Sequence, residues 1–299
     1  MKRFLYVFVF AVVWTFEALC VDYKVDQTGV YLKGYNSQEL KDMFTDLAYE
    51  KYIDLPGNEY PRIFVRNLPS DFAELKDTTE RNRFFMQILI PLILKVNDEV
   101  SEEREIVEAL AYDFELNKDV DEADMYYIDL LASKYDVTTP FKDTRKYIKL
   151  LSVLKEKVDI VPPSVLIASA AIHTNWGTSR IAVLANNLFK QRVWYEEEGL
   201  TPIGDENDGY KYKIYDSLEE SIRDYVLKLN SNVNYEAFRQ KRAVLRKRDY
   251  ELYGKRMDWA MVLDSKLNNY AGLLDYTLTF YKLYRVDTAV LEPTYQLEE

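Results

Sequence analysis

One cysteine and one histidine in 299 residues exclude several kinds of chemistry. A disulfide framework, a zinc cluster of familiar spacing and a Cys/His nucleophilic pair all need more of these residues than the chain has. Glycine and proline are sparse as well, nine of each, too few for a loop-rich or low-complexity protein. Basic residues are outnumbered, 39 Lys and Arg against 50 Asp and Glu. The net charge of -11 makes a field that repels phosphate backbones, so no nucleic-acid partner is expected. What remains for catalysis is mainly carboxylates, tyrosines, amides and His173.

The chain is 48% hydrophobic and carries 25 Tyr and 14 Phe, enough to bury a sizeable, mostly helical core. Residues 1–20 read as an export signal: Met1-Lys2-Arg3, an apolar run from Phe4 to Phe16, and small residues at Ala18 and Cys20. The run is shorter than the roughly 20 residues a bilayer span takes, so no stable membrane span is expected after cleavage. Leu19 before Cys20 fits a lipoprotein box poorly, which favours cleavage over lipidation. The mature chain then lacks cysteine and suits a periplasm, a cell envelope or the exterior.

Residues 21–58 are weakly periodic, broken by Gly29, Gly34, Pro56 and Gly57, and read as a lead-in of uncertain order. Residues 59–158 read as a helical N-terminal extension. Tyr60–Val65 is a short extended piece, and Pro69-Ser70-Asp71-Phe72 is a turn. A helix from Glu80 to Val96 is expected to kink at Pro91. A new helix is capped by Ser101, with Ile106, Val107, Leu110 and Phe114 inward, and two amphipathic helices follow over Asp121–Tyr135 and Asp143–Val158. Pro162-Pro163 opens an unusually apolar helix through Ile172. Alternation at Tyr210, Tyr212 and Ile214 predicts a hairpin between Asn186 and Asp216. Ser217-Leu218-Glu219-Glu220 is a capping box, and helices follow over Tyr235–Lys247 and Tyr270–Leu283. The run Lys241, Arg242, Arg246, Lys247, Arg248 reads as a solvated helix face, with a contact to acidic stem peptides as the sharper alternative.

Val161-Pro162-Pro163-Ser164 through Ile172-His173-Thr174-Asn175-Trp176-Gly177-Thr178-Ser179, followed by Asn186-Asn187-Leu188-Phe189, resembles the signature of the glucosaminidases of glycoside hydrolase family 73, in particular their Bax-like branch. Downstream, Glu198-Gly199-Leu200, Tyr212–Ser217, Glu220–Tyr225 and Asn269-Tyr270 fall in that family's order. The resemblance runs from about Tyr60 to Tyr284. It implies an all-α fold with a small β insertion, in which residues 159–286 form a lysozyme-like lobe and residues 287–299 a tail. It also implies a protein of the N-acetylglucosaminidase type that engages the β-1,4-linked glycan strands of peptidoglycan with no metal and no organic cofactor; protein partners are unknown.

The resemblance breaks at one position. Where the family signature carries the glutamate that protonates the glycosidic oxygen, this chain has His173. A glycosidase commonly uses two carboxyl groups around the scissile bond, and loss of a general acid typically lowers a rate by about 10²- to 10⁴-fold. Three readings stay open: a core histidine in a fold put to an unrelated use, a pseudoenzyme that binds glycan or scaffolds a partner hydrolase, and altered hydrolysis. The last would use His173 or an acid from Glu196, Glu197, Glu198, Asp205 or Glu206. The resemblance places Trp176, Asn187, Phe189, Tyr225 and Tyr270 as candidate substrate contacts, although Asn187 equally reads as a turn-holding amide and the aromatics as packing. Lys190 stands where the family often has glycine.

Overall fold

A computed structural model describes residues 22–49, 58–116, 121–143, 145–204, 209–257 and 269–294. The proposed signal segment, Asp205 and Glu206 lie outside these residues. Among the described residues no helix is long and apolar enough to cross a membrane.

The centre is α2 (Thr78–Glu115), after the short helix α1 (Ser37–Asp46). Asp77 caps α2 by accepting from the backbone N–H groups of Thr79 and Glu80 at 2.8 and 3.0 Å. The helix is one element where two were expected. Ser101 lies in its interior rather than at a cap, and Ile106 is 42% exposed instead of facing inward. Pro91 has no N–H to give the carbonyl of Gln87 four residues back. The buried hydroxyl of Tyr49 donates to that carbonyl at 2.8 Å instead, and the Gln87 amide returns a bond to the Tyr49 carbonyl at 2.6 Å. A residue outside the helix thus satisfies the acceptor that the proline leaves open.

Residues 22–49 are more ordered than their sequence suggests. Strands β1 (Asp22–Asp26) and β2 (Gly29–Lys33) form an antiparallel hairpin, and β2 pairs in parallel with β4 (Ile63–Val65). Gly29 is required at the turn, because a Cβ there would come within 2.4 Å of the Arg62 carbonyl. Strand β3 (Glu59–Tyr60) pairs with β7 (Val290–Leu291), so the expected tail is stitched to the start of the extension. The remaining elements are α3 (Glu122–Lys134), α4 (Arg145–Lys157), α5 (Pro163–Thr174), α6 (Arg180–Ala185), the antiparallel hairpin β5 (Arg192–Trp194) with β6 (Tyr210–Tyr212), α7 (Leu218–Ser231), α8 (Glu236–Lys247) and α9 (Tyr270–Phe280). The chain is mostly helical with small sheets, as expected, and among the described residues the strands form three of them.

The basic run is not simply a solvated face. Arg242 is fully buried and donates to the carbonyls of Glu156, Lys157, Asp159 and Ile160 and to Asn230 Oδ1, closing the end of α4. Arg246 forms two bonds to the Asp159 carboxylate at 2.7 and 3.1 Å. The prolines that start α5 lie just beyond this knot.

Candidate functional site

Proline at 162 and 163 pre-sets the entry of α5 but supplies no side-chain cap. The cap comes from far along the chain. Asp287 accepts from the backbone N–H of Ser164 at 2.9 Å, from its hydroxyl at 2.8 Å and from the N–H of Gly254 at 2.9 Å. Burial pushes the Asp287 carboxyl up to about 6, against these three bonds, which pull it down. The folded chain therefore retains a proton that the unfolded chain releases near pH 3.8. This group's contribution to stability is largest at low pH and is lost as pH rises through about 6. Between pH 5 and 7 the natural chain should lose about 1 kcal/mol relative to Asp287→Asn, read by urea unfolding at both pH values. An unchanged difference would show that Asp287 is ionised throughout.

At the other end of α5, Asn175, Trp176 and Gly177 take three successive left-handed conformations, φ 49°, 57° and 80°. Thr174 holds this turn: its hydroxyl donates to Ala170 O at 2.6 Å and accepts from the N–H of Gly177 at 2.8 Å. Gly177 has no alternative, since a Cβ would come within 2.8 Å of the Phe85 ring on α2. Trp176 is half-buried between Phe85 and Tyr281, with ring centroids 6.1 and 4.3 Å away, so it packs against the core at the edge of the turn.

His173 sits in the last turn of α5, 7% exposed. Its ring stacks on Tyr270 at 5.6 Å and 29°. The Tyr270 hydroxyl is 2.9 Å from Ser169 Oγ. Ser169 lies four residues before His173 on the same helix face, and α5 and α9 thereby fix the ring against which His173 rests. The sequence alone did not single out Ser169; a serine in the middle of an apolar helix, one turn before the acid position, is the signal that marks it.

The hairpin is hung on the end of α6. Asn186 donates to Tyr215 O at 2.9 Å. The Asn187 amide, fully buried, donates to Gln191 O and Lys213 O at 2.9 and 2.8 Å and accepts from the N–H groups of Phe189 and Gln191 at 3.3 and 3.0 Å. With its hydrogen-bonding capacity used inside the fold, Asn187 is a turn-holding residue and not a substrate contact. Phe189 and Tyr225 likewise depart from the binding role given them. They stack at 4.0 Å and 9°, 3% and 0% exposed, in the core beneath the hairpin. Tyr270 is 2% exposed, a support for His173 rather than an open surface. Lys190 adopts φ 52°, the left-handed region that favours the glycine common there in the family signature.

Arg180 ties the hairpin back to the turn after α5 by donating to Thr201 O at 2.9 Å. Glu196, Glu197 and Glu198 are all exposed at the hairpin, and Glu197 accepts from the N–H of Trp194 at 3.0 Å. Beside them stand two aromatics that the sequence reading did not single out, Trp194 at 75% and Tyr195 at 52% exposure. An aromatic pair running directly into an acidic triplet was the signal for them. The arrangement offers one buried imidazole, a rigid aromatic support and an exposed hairpin carrying aromatics and carboxylates. Among the described residues no cluster of three or more His, Cys, Asp or Glu could hold a metal.

The glucosaminidase family, described as mannosyl-glycoprotein endo-beta-N-acetylglucosaminidase, matches residues 148–281, from α4 to the end of α9. Protein bax of Escherichia coli (strain K12) is 31% identical over 196 residues, which is 65% of this chain and 67% of that protein. Among solved structures, the catalytic domain of the autolysin Auto from Listeria monocytogenes is similar to 56% of this chain over 89% of its own, at 20% identity and a TM-score of 0.32.

Proposed function

Because the chain belongs to the Bax-like glucosaminidase family, we propose that it is exported to the cell envelope and there holds the glycan strands of peptidoglycan without cutting them efficiently. The observation that carries this reading is His173, closed in on Tyr270 at the position of the family's acid. Its ring gives the site no carboxyl group at the point where a glycosidase needs one protonated. Binding draws on the exposed Trp194 and Tyr195, whose ring faces suit the C–H faces of sugars, and on the hairpin that α6 presents beside the turn after α5.

The test is co-sedimentation of the mature protein with purified peptidoglycan, with mass spectrometry of the supernatant. The protein is expected in the pellet with no new N-acetylglucosamine reducing ends. Removing both aromatics, Trp194→Ala with Tyr195→Ala, should weaken binding roughly tenfold. Fragments released by the natural chain would overturn the non-cutting reading in favour of hydrolysis, with Glu196 and Glu198 as the acids to replace next. The N-terminal residue of the exported protein reports whether cleavage falls near Cys20.

A further inference from the structure

A concave feature lies away from His173, between the N-terminal sheet and the start of α7. It is a cavity of about 310 Å³, at the lower end of the range that small organic ligands occupy and roomier than an inorganic anion needs. Its wall is mixed. Tyr31, Phe64 and Leu92 supply apolar surface, and the cationic side chains outnumber the carboxylates five to three. In a chain of net charge -11, a cationic hollow is a local reversal of the field.

Most of those charges are already matched. Lys95 pairs with Glu219 at 2.8 Å, Arg223 with Glu219 at 2.5 Å and with Glu99 at 2.8 Å, and Lys24 with Asp26 at 2.8 Å. Two are not: the side chains of Lys33 and Arg66 make no ion pair or hydrogen bond among the described residues. Arg66 is half-buried and held from both sides through its backbone. Its N–H donates to Leu32 O and its carbonyl accepts from the N–H of Leu218, the first residue of α7, both at 2.8 Å. The guanidinium therefore projects from a fixed root while doing nothing for the fold. Lys95 lies ten residues along α2 from Phe85, about 15 Å by helical rise, which separates this cavity from the turn beside His173.

We infer that the cavity between β2, β4 and the start of α7 is a binding site for a small organic carboxylate with a short apolar body, such as the end of a peptide, held by Arg66 and Lys33 over Tyr31. Guanidinium geometry matches a carboxylate through two parallel bonds. Arg223 is shared with Glu99 outside the wall, which cuts the surplus to one cation and suits a single negative charge, and the carboxylates of Asp26, Glu219 and Glu220 on the same wall disfavour a dianion. The assignment does not depend on glycan binding elsewhere.

Ligand-observed NMR titration of the mature protein tests it with three probes: N-acetyl-trialanine, its C-terminal amide, and inorganic phosphate. The acid should bind at least tenfold more tightly than the amide and than phosphate. Arg66→Gln and Lys33→Gln should each weaken it roughly tenfold or more, with thermal unfolding unchanged. Raising salt should weaken it further. Equal binding of acid and amide, phosphate binding without the acid, or affinity unmoved by either variant would each overturn the site. Lys33, at the exposed end of β2, keeps the question decidable if Arg66→Gln fails to fold. The aromatic double variant of the hairpin should leave this titration unchanged, which separates failure here from failure of the glycan reading.

Discussion

Glutamate in place of His173 is expected to yield a protein that releases glycan fragments from purified peptidoglycan roughly 10²- to 10⁴-fold faster than the natural chain, the range a positioned general acid supplies. The site is prepared for a neutral carboxylic acid in two ways. Position 173 lies in the last turn of α5, where the negative end of the helix dipole opposes a carboxylate, and it is 7% exposed, where burial opposes the same charge. Both hold a glutamate in the protonated form that gives its proton to the glycosidic oxygen. Once the proton has left, the carboxylate faces a developing oxocarbenium ion and attracts it. A protonated imidazole approaches the same transition state as a cation, and repulsion works against it. The support is already in place, since Tyr270 stacks on position 173 with its hydroxyl 2.9 Å from Ser169 Oγ. His173→Gln separates size from acidity: it matches glutamate in shape, has no proton to donate and should release no more than the natural chain. Reducing ends counted by mass spectrometry decide between them. A folded His173→Glu protein that still pellets with peptidoglycan and releases nothing extra would show that the face lacks more than an acid.

Where local pattern dictates structure, the sequence was legible. Asp121 and Ser217 cap α3 and α7 because an oxygen one turn ahead of an apolar run has a backbone N–H within reach. The strand at Tyr210–Tyr212 was legible from Tyr210 and Tyr212 alternating with Lys211, although its partner Arg192–Trp194 was not. The asparagine pair reads as a turn because short amides bond to nearby backbone. What could not be read are partners distant in sequence. Ser101 followed by two glutamates looks like a helix start, and nothing nearby says that α2 runs straight through it. The continuity of α2 past Pro91 depends on Tyr49, 42 positions earlier. Aromatics such as Phe189, Tyr225 and Tyr270 carry no local mark of whether they face solvent or one another. Asp287 left an indirect trace: a helix opened by two prolines has no side chain of its own to cap it, so an acceptor had to come from elsewhere.

Asp159→Ala should cost about 3–5 kcal/mol, enough to unfold much of a domain whose total stability is on the order of 5–15 kcal/mol. Asp159 is 1% exposed, and burial alone would push its carboxyl up. Arg242, Arg246 and Arg104 together hold it below the usual value of 3.8. Its support for the fold is therefore complete above that pH and is lost as pH falls through the folded value. Without the carboxylate, the fully buried Arg242 faces Arg104 and Arg246 with no opposing charge, and burial has already pulled its own value down to about 10. Arg242→Met should cost a similar amount for a different reason. It orphans the carbonyls of Glu156, Lys157 and Ile160, which the guanidinium satisfies at the junction of α4 and α5, while the Asp159 carbonyl keeps its bond from the Asn230 amide. The two losses overlap, so the double variant should fall short of their sum by about 1–3 kcal/mol. Lys247→Ala, exposed on the same helix, should stay within about 0.5 kcal/mol and serves as the control. Urea unfolding followed by circular dichroism measures all four. A cost below about 1 kcal/mol for Asp159→Ala would mean that water or neighbouring carboxylates screen the three arginines, and that α5 is anchored by Asp287 and the helix α2 rather than by this charge cluster.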